Sequence, residues 1–342
     1  MKKKILFISI KYYDAEKNKG RSYEYNNFYL NLKKYFNISH LPIDEIIQKN
    51  GYDYLNDKIL KIYRNYDILF FFMYKNDIYP STLKVIKNNK KIKSIAWMSD
   101  DHWRYDIYGK HYIGFFDLII TTCKDSLKKY RCNKQKSLLG LWTTDVFINQ
   151  KKNKHLYDVS FVGKNYGRRE KYVNFLKKNN INVKCFGSSW PNSHFFVGNI
   201  KKIFTHSLIN LNFSDSSTGF SLKNIVKVFF HKKTNLQYRL HNPFDYYLNL
   251  KNFCMNKSKQ IKGRLFEAIS SNSFVITEYH KDLSSFFKIN KEIVCFKNEK
   301  ELLEKTKFYM KNKNSLDKVK GMGYKKFKKA YAIKNYFRKI FT

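Results

Sequence analysis

The chain has 342 residues, of which 43% are hydrophobic and 18% aromatic, so it has enough apolar side chains to bury a core and is not a disordered protein. At roughly 150 residues per domain, this length suggests about two domains. The 67 Lys and Arg residues outnumber the 27 Asp and Glu residues, giving a formal net charge of +40. Taken alone, that charge favours nucleic acid, an anionic membrane or an acidic ligand as partner. Only nine of the cations are Arg, and the Lys excess in a chain rich in Asn, Ile, Phe and Tyr is typical of AT-rich coding, to which we attribute most of the charge.

The sequence predicts a cytoplasmic protein without a membrane span. The apolar run Ile5–Ile10 after Met1–Lys4 is too short for a signal peptide, and no small-residue cleavage site follows it. There is no run of about 18 uncharged apolar residues. The five cysteines form no CxxC pair and are interpreted as reduced thiols, neither a metal site nor a disulfide framework; they are Cys123, Cys132, Cys185, Cys254 and Cys295.

Short apolar strands alternate with charged helical stretches in the first half of the chain. Strands that are apolar throughout and separated by helices indicate a parallel sheet covered on both faces. The predicted strands are Ile5–Ile10, Ile68–Met73, Ser94–Met98 and Leu118–Thr122, and the predicted helices are Tyr23–Tyr35, Ser81–Asn88 and Asp125–Tyr130.

The same alternation starts again after a charged, unpatterned stretch at Lys151–His155, which suits a linker. The predicted strands are Tyr157–Val162, Val183–Phe186, Leu208–Asn212 and Phe274–Thr277, and the predicted helices are Arg168–Asn179, Gly263–Ser270, Lys300–Met310 and Lys326–Phe341. We therefore predict an α/β protein with an N-terminal Rossmann-like domain (1–152), a C-terminal Rossmann-like domain (153–325) and a final helix (326–342) that packs back on the first domain.

The alternation lapses for about fifty residues before Gly263, which predicts a basic insertion in the C-terminal domain near 215–258. Within it, Phe220–Lys233 mixes Phe, Ile and Val with four Lys residues. This composition is typical of a basic amphipathic helix that lies on an anionic membrane surface. An ordinary helix packed on the second domain is the equal alternative.

Three loops at predicted strand or helix ends carry candidate functional residues. The first is Gly20–Asn27, in which Gly20, Arg21 and Tyr23 precede a helix whose N-terminus can receive a phosphate. It is not a GxGxxG loop, and the chain contains no GxxxxGK[ST] motif. A plain connection between strand and helix is the alternative.

The second loop, Ser99–Asp106, directly follows a predicted buried strand. It holds Asp100, Asp101, His102 and Arg104 within a few residues, a density of ionisable groups that packing does not require. A carboxylate or imidazole there can act as a general base or orient a substrate hydroxyl. Adjacent acids can also hold a divalent ion, and an Asp-capped helix start is the structural alternative.

The third loop opens the predicted helix Gly263–Ser270. Lys262 and Arg264 flank Gly263 at its start, and Glu267 lies one turn further. Cations at a helix N-terminus suit a diphosphate, and a carboxylate suits paired ribose hydroxyls. A salt-bridged helix terminus is the alternative.

The motifs together resemble the CgeB-like (spore-maturation-protein-like) glycosyltransferases over nearly the whole chain. The resemblance rests on Gly20–Asn27 and Ser99–Asp106 for the first half, and for the second half on Tyr157–Gly163 with Arg168-Arg169, Gly187–Pro191, Gly263–Glu267, Phe274–Tyr279, Glu292–Phe296 and Gly323-Tyr324.

That family implies a GT-B fold, in which two Rossmann-like domains face each other across a cleft and the C-terminal domain holds most of the donor nucleotide. It implies donor binding at Gly163, Arg168, Lys262, Gly263, Arg264 and Glu267, with Glu267 on the ribose. We expect Gly20, Arg21 and Tyr23 of the first loop to contribute to donor binding as well. It also implies a retaining reaction without a metal or other cofactor.

Three positions depart from the family pattern. Ser270–Ser273 replaces a turn that usually bears Gly and Cys, and Tyr331-Ala332 replaces a His-Thr pair. Lys259 stands eight residues before Glu267, where related retaining enzymes carry a first glutamate. In the family, the turn at Ser270–Ser273 approaches the donor, so we expect these departures to affect which sugar or nucleotide is preferred and how active the enzyme is.

We therefore expect a glycosyltransferase that moves a sugar from a nucleotide-diphosphate donor to a glycan or lipid-linked acceptor, in cell-surface polysaccharide or glycoconjugate synthesis at the cytoplasmic membrane face. Asp100, Asp101 and His102 are its expected catalytic residues. The alternatives are a GT-A transferase with Asp100 and Asp101 on a metal, a DNA-modifying glycosyltransferase, and a basic nucleic-acid-binding protein.

Overall fold

The computed structural model describes residues 3–147, 155–190, 200–216, 220–255 and 258–342. The chain forms two compact units. Unit 1 comprises Met1–Leu141, Gly219–Asn256 and Phe341, and unit 2 comprises Trp142–Thr218, Lys257–Ile340 and Thr342.

Unit 1 contains a parallel sheet whose strands are separated by helices. Its elements up to residue 141 are β1 (Lys4–Ser9), a π-helical turn (Glu24–Tyr29) continued by α1 (Leu30–Leu32), β2 (Asn37–Pro42), α2 (Ile43–Ile62), β3 (Ile68–Met73), α3 (Pro80–Asn88), β4 (Lys93–Met98), α4 (Asp101–Arg104), β5 (Leu118–Thr121), α5 (Lys124–Cys132) and β6 (Ser137–Leu139).

The six strands of unit 1 lie in the order β2-β1-β3-β4-β5-β6 and all pair in parallel. All six residues of β3 are buried, as an apolar strand covered on both faces requires. The strand order reverses between β1 and β3. In open α/β sheets such a reversal opens a crevice at the carboxyl ends of the two strands, where ligands bind.

Unit 2 repeats this plan with five strands. Its elements are β7 (Tyr157–Val162), α6 (Arg169–Lys178), β8 (Val183–Phe186), α7 (Ile200–Thr205) and β9 (Ser207–Asn212), followed after residue 257 by α10 (Gly263–Ser270), β12 (Val275–Glu278), β13 (Val294–Phe296), α11 (Glu299–Lys311), α12 (Lys313–Lys326) and α13 (Ile333–Phe341). The order is β13-β12-β9-β7-β8, again all parallel. Here the order reverses between β7 and β9. The predicted α/β class is confirmed.

In sequence, Gly219–Asn256 lies between the two halves of unit 2, but it belongs to unit 1. The sequence predicts this insertion in the C-terminal domain instead. Its elements are α8 (Leu222–Phe229), β10 (Phe230–Lys232), β11 (Tyr238–Leu240) and α9 (Tyr246–Leu250). Polar contacts hold it there: the Thr234 hydroxyl donates to Asp77 over 2.9 Å, and Lys232 lies 2.6 Å from Glu16. The prediction of one helix over Phe220–Lys233 is wrong in its second part, because Phe230–Lys232 pairs with β11 as a hairpin.

The predicted final helix, Lys326–Phe341, is in fact a π-helical turn at Phe327–Tyr331 followed by α13, and the helix before it, α12, was not predicted. Phe341, at the end of α13, belongs to unit 1, where its ring lies 5.2 Å from Phe36 and 5.7 Å from Phe70. The linker residues 151–154 and Pro191 of the quoted motif lie outside the described residues.

Candidate functional site

A cavity of about 180 Å³ lies in unit 1 at the point where the strand order reverses. Residues that end or follow β1, β3 and β4 form its walls, so the two predicted loops of the first half meet there. The polar residues of its lining, with the tyrosines counted among them, are Tyr13, Asp14, Tyr23, Glu24, Tyr74, Lys75, Asp77, Ser99, Asp100 and Thr234.

Two carboxyl groups of this cavity titrate near neutral pH. Burial raises the pKa of Glu24 to about 7, against the opposing hydrogen bonds from its own backbone and Ser22. Burial also raises the pKa of Asp77 to about 6, against the hydrogen bond from Thr234. A carboxyl group whose pKa is close to the working pH can accept a proton from a substrate hydroxyl and release it again. Neither residue was predicted as a site residue.

The structure separates the two adjacent acids of the second loop. Asp100 lines the cavity and has a left-handed backbone, φ 57° and ψ 27°, a conformation that Asp tolerates better than most residues. Asp101 begins α4, is 1% exposed and is not among the described lining residues. Burial raises the pKa of Asp101 to about 7, although the Tyr130 and Thr121 hydroxyls favour its ionised form.

Of the other charged residues of this loop, Arg104 packs against one wall of the cavity. The Arg104 guanidinium lies 4.4 Å from the ring of Tyr74 and 4.3 Å from that of Tyr108, a cation–π sandwich. Since Tyr74 lines the cavity, Arg104 holds one wall in place. His102 is half-buried on α4 and is not among the described lining residues.

In the first loop, only Tyr23 of the three predicted residues reaches the cavity. Gly20 has φ 79°, which suits glycine, and its carbonyl accepts from the Tyr13 amide over 3.0 Å. Arg21 is exposed and lies 5.2 Å from the Tyr25 ring. Gly20 and Arg21 therefore shape the loop.

At the carboxyl edge of the unit 2 sheet, Arg168 joins the ends of three strands. It follows β7, and its Nε and Nη2 lie 3.1 and 3.0 Å from the carboxylate of Asp215, which follows β9. Nη2 also donates to Glu278, the last residue of β12, over 2.8 Å. Hydrogen bonding to Asp215 raises the pKa of Arg168. Burial opposes ionisation of Asp215, but the bonds and charge of Arg168 outweigh it and lower the pKa of Asp215.

Glu278 is the centre of this cluster and was not predicted. It has no exposed surface, and its Oε2 accepts from the amide and hydroxyl of Ser214 over 3.0 and 2.9 Å. Its Oε1 accepts from Lys259 over 2.8 Å. Lys259 is held beside it by a β-bridge to Asp215. A buried carboxylate with this many donors is satisfied and fixed in place.

Gly163, a predicted donor-binding residue, makes its contacts through backbone atoms. Its carbonyl accepts from the indole of Trp190 over 2.8 Å. Gly187, with φ 136°, approaches so closely that a Cβ there would lie 2.4 Å from the Gly163 oxygen. The two glycines therefore allow the loops after β7 and β8 to pack together.

Helix α10 begins three residues after the bridged segment of Lys259 and Gln260. Lys262 is its N-cap residue, and Arg264 forms an ion pair with Glu267, which is 4% exposed. At the other end, Ser270 and Ser271 donate hydroxyl hydrogen bonds of 2.7 and 2.9 Å to the Glu267 carbonyl. Two serines of the Ser270–Ser273 departure thus donate to one carbonyl of the last helical turn.

This edge of the sheet carries groups of the chemical kinds that can hold a nucleoside diphosphate. A helix N-terminus with Lys262 and Arg264 can stabilise the negative charge of a diphosphate. Glu267 can accept hydrogen bonds from two neighbouring hydroxyl groups. Within the residues described, no group of three or more His, Cys, Asp and Glu side chains is arranged to hold a metal ion.

A family model described as glycosyl transferase-like matches residues 231–342. None of the curated protein sequences compared with the chain matches it. Solved structures do match over its whole length. HepE from Anabaena, solved with UDP and glucose, is 9% identical with a TM-score of 0.57, and the match covers 99% of this chain and 98% of HepE.

Two further structures share the fold. A glycosyltransferase from Rickettsia africae is 10% identical with a TM-score of 0.54, covering 99% of this chain and 97% of that one. TarM from S. aureus is 11% identical with a TM-score of 0.52, and the match covers 84% of this chain but 57% of TarM. The predicted GT-B fold is confirmed, which excludes the GT-A alternative. The chain thus has the fold of the GT-B glycosyltransferases, and its residues 231–342 match a glycosyl transferase-like family model.

Proposed function

We propose that the protein transfers a sugar from a nucleoside-diphosphate donor bound at unit 2 to a glycan or lipid-linked acceptor at the cytoplasmic face of the membrane. The observation that carries this proposal is the cluster at the carboxyl edge of the unit 2 sheet, where Arg168 and Lys259 share the Glu278 carboxylate and α10 begins four residues after Lys259. The UDP and glucose bound by HepE, which has the same fold, support a UDP-sugar as the first donor to test. Within GT-B transferases, the quoted motifs favour the CgeB-like family.

In the proposed reaction, the bond between the sugar C1 and the diphosphate oxygen breaks, and a bond from C1 to an acceptor oxygen forms. Lys262 and Arg264 stabilise the leaving diphosphate, whose charge grows as that bond breaks. Glu267 positions the ribose. The acceptor hydroxyl loses its proton in the same reaction. A retaining outcome follows from the family resemblance, and the anomeric configuration of the product, read by NMR, tests it.

We place the acceptor in the unit 1 cavity. Its tyrosine rings offer flat apolar faces to a sugar ring, while Glu24, Asp77 and Asp100 offer acceptors for sugar hydroxyls. Glu24 is the proposed base for the acceptor hydroxyl, because it lines the cavity and its pKa is about 7. Asp100 orients that hydroxyl, and Asp101 supports the turn behind it.

The donor site is tested by titrating UDP, GDP, CDP and ADP into the protein in a calorimeter. We expect one nucleotide to bind and Glu267→Gln to weaken it about 10- to 100-fold, the effect of a lost hydrogen bond to a charged group. Glu304→Gln, an exposed glutamate on α11, is the matched control. Binding of none of the four nucleotides, or equal affinity in Glu267→Gln, would refute this site.

A further inference from the structure

The segment 220–255 of unit 1 exposes an unusual amount of apolar surface. Of the nineteen large apolar side chains exposed in the described part of the chain, eleven lie in this segment. Coding bias explains why the chain is rich in Phe and Tyr, but it does not explain why the exposed ones gather here. They are Phe220, Leu222, Val226, Phe229, Phe230, Leu236, Tyr238, Leu240, Phe244, Tyr247 and Met255. We call them the apolar surface of unit 1.

Helix α8 presents its apolar side outward. Leu222, Val226 and Phe229 are spaced four and three residues apart, so they lie on one face, and they are 84%, 53% and 39% exposed. The buried residues of the same helix are Asn224 and Val228. A helix of a water-soluble domain normally buries its apolar stripe. Helix α8 instead exposes its apolar stripe, which a partner can cover.

The hairpin and the turn after it extend the same apolar surface. Phe230 and Leu240 are directly opposite each other in the β10–β11 ladder, so their side chains stand on one face, and they are 42% and 63% exposed. Phe244 follows the hairpin and is 93% exposed, and Tyr247 on α9 is 77% exposed. Monomeric proteins rarely leave such a set uncovered.

The charges of the segment favour an anionic partner, because its ratio of cations to acids is higher than that of the whole chain. Residues 220–255 contain six Lys and Arg residues and one acid, Asp245. Lys223 and Lys227, both exposed, are neighbours in sequence of Leu222 and Val226 on α8. Apolar side chains bordered by cations match a bilayer with anionic headgroups, into whose acyl boundary the apolar groups insert while lysines reach the phosphates. A second copy of this surface would bring like charges together.

We propose that the apolar surface of unit 1 docks the protein on an anionic lipid bilayer. The proposal does not depend on the transfer reaction, since no residue of the surface is assigned to donor or acceptor binding. No helix of the described residues combines the length and apolar character needed to cross a membrane, and the proposed contact is peripheral.

The test is sedimentation of the full chain with vesicles. We expect binding to phosphatidylglycerol-containing vesicles, little binding to pure phosphatidylcholine, and weakening as salt is raised. Leu222→Ser with Phe244→Ser is expected to reduce the bound fraction at least tenfold. The matched control, Leu156→Ser with Phe308→Ser, removes two apolar side chains that are 65% and 49% exposed elsewhere, and is expected to bind normally.

A second pair of variants tests the charges. Lys223→Glu with Lys227→Glu should lower binding, whereas Lys300→Glu with Lys307→Glu, the same charge change on exposed lysines of α11, should lower it much less. All these substitutions are at exposed positions, and unchanged far-UV circular dichroism shows that the variants fold. Equal binding to neutral vesicles, or full binding by Leu222→Ser with Phe244→Ser, would overturn the proposal. A further result would also overturn it. If neither the wild type nor Leu222→Ser with Phe244→Ser binds vesicles, and light scattering shows that the wild type forms an oligomer that the variant does not, then the surface joins copies of the chain.

Discussion

The ammonium group of Lys259 lies 2.8 Å from Oε1 of Glu278, a carboxylate with no exposed surface. Lys259 stands eight residues before Glu267, the place of a glutamate in the retaining enzymes that the chain resembles. In this chain the position holds a cation, Lys259, and the carboxylate that balances its charge is Glu278 at the end of strand β12. An acid is therefore still present at this edge of the sheet, but it reaches the site from a different element.

Glu278→Gln is expected to destabilise unit 2. The substitution keeps the shape but removes the charge that Arg168 and Lys259 share. Arg168 and Lys259 are partly exposed and can be solvated when the charge is lost, so the expected cost is that of hydrogen bonds to a charged group, about 1.5–3 kcal/mol, which urea denaturation measures. Glu304→Gln, at an exposed position, should change the unfolding free energy by less than about 0.5 kcal/mol. Equal midpoints for the two variants would show that Glu278 does not hold the cluster together.

Lys259→Met is expected to weaken UDP binding about tenfold while leaving the affinity for uridine unchanged. The Lys259 aliphatic stem is retained, and only the positive charge near the proposed diphosphate position is lost. Competition calorimetry with UDP and uridine measures both affinities, and Lys300→Met on α11 is the control for loss of one surface charge. A parallel loss for both ligands would mean that Lys259 shapes the site without acting on the phosphates.

The existence of most buried strands could be predicted from the sequence because most of their residues are apolar, but their order in the sheets was not predicted. Ile68–Met73 and Tyr157–Val162 have the predicted bounds. Strand β2 was missed because, as the edge strand of its sheet, it buries only Ile38 and Leu41 among its six residues and has no continuous apolar run. Helix α2 was missed too, and it is interrupted at Gly51, where φ is 88°.

The site could be predicted only to the level of loops. Glu278 directly follows the predicted strand Phe274–Thr277, much as Asp100 follows the predicted strand Ser94–Met98, so the rule that selected Asp100 could also have selected Glu278. The sequence could not show that Asp100 lines the cavity while Asp101 is buried, because this difference depends on the left-handed backbone at Asp100. The placement of segment 220–255 in unit 1 likewise depends on contacts between residues far apart in sequence, such as Thr234 and Asp77.

Arg264→Lys is expected to lower turnover, even though the charge is kept. The guanidinium is paired with Glu267, and a planar fork that holds one carboxylate and a phosphate cannot be reproduced by an ammonium group. Steady-state rates at saturating donor measure the effect, and Arg338→Lys, on α13, is the control. Wild-type turnover in Arg264→Lys would place the diphosphate contact elsewhere.

Asp100→Asn and Asp101→Asn are expected to change different properties: the first lowers turnover, and the second raises stability. Asn also tolerates the left-handed backbone at position 100, so Asp100→Asn should fold normally and lower turnover about 10²-fold if the carboxylate orients the acceptor. Asp101→Asn should increase the free energy of unfolding at pH 8, because it removes a buried carboxyl group whose pKa is raised to about 7. Loss of turnover confined to Asp101→Asn would reverse the two roles.

Glu24→Gln tests the proposed base through two different pH dependences. In the folded chain the pKa of Glu24 is about 7, above its ordinary value of 4.5. Between these two values the unfolded chain has released the proton and the folded chain still holds it, so rising pH lowers stability across this window, and the loss is complete above about pH 7. Glu24→Gln should therefore be more stable than the wild type at pH 8, by about 1–3 kcal/mol, and equal to it at pH 4.

The rate provides the second pH dependence, which a purely structural role for Glu24 would not change. If the ionised carboxylate accepts the proton of the acceptor hydroxyl, kcat/KM of the wild type rises with pH up to about 7 and then levels off. Glu24→Gln should lose that rise together with at least 10²-fold in rate, while its UDP affinity stays that of the wild type. Asp77→Asn is the internal comparison, because Asp77 lines the same cavity but is tied to Thr234. A Glu24→Gln variant that keeps the rise in rate with pH would move the base to another group, with Asp77 the next to test.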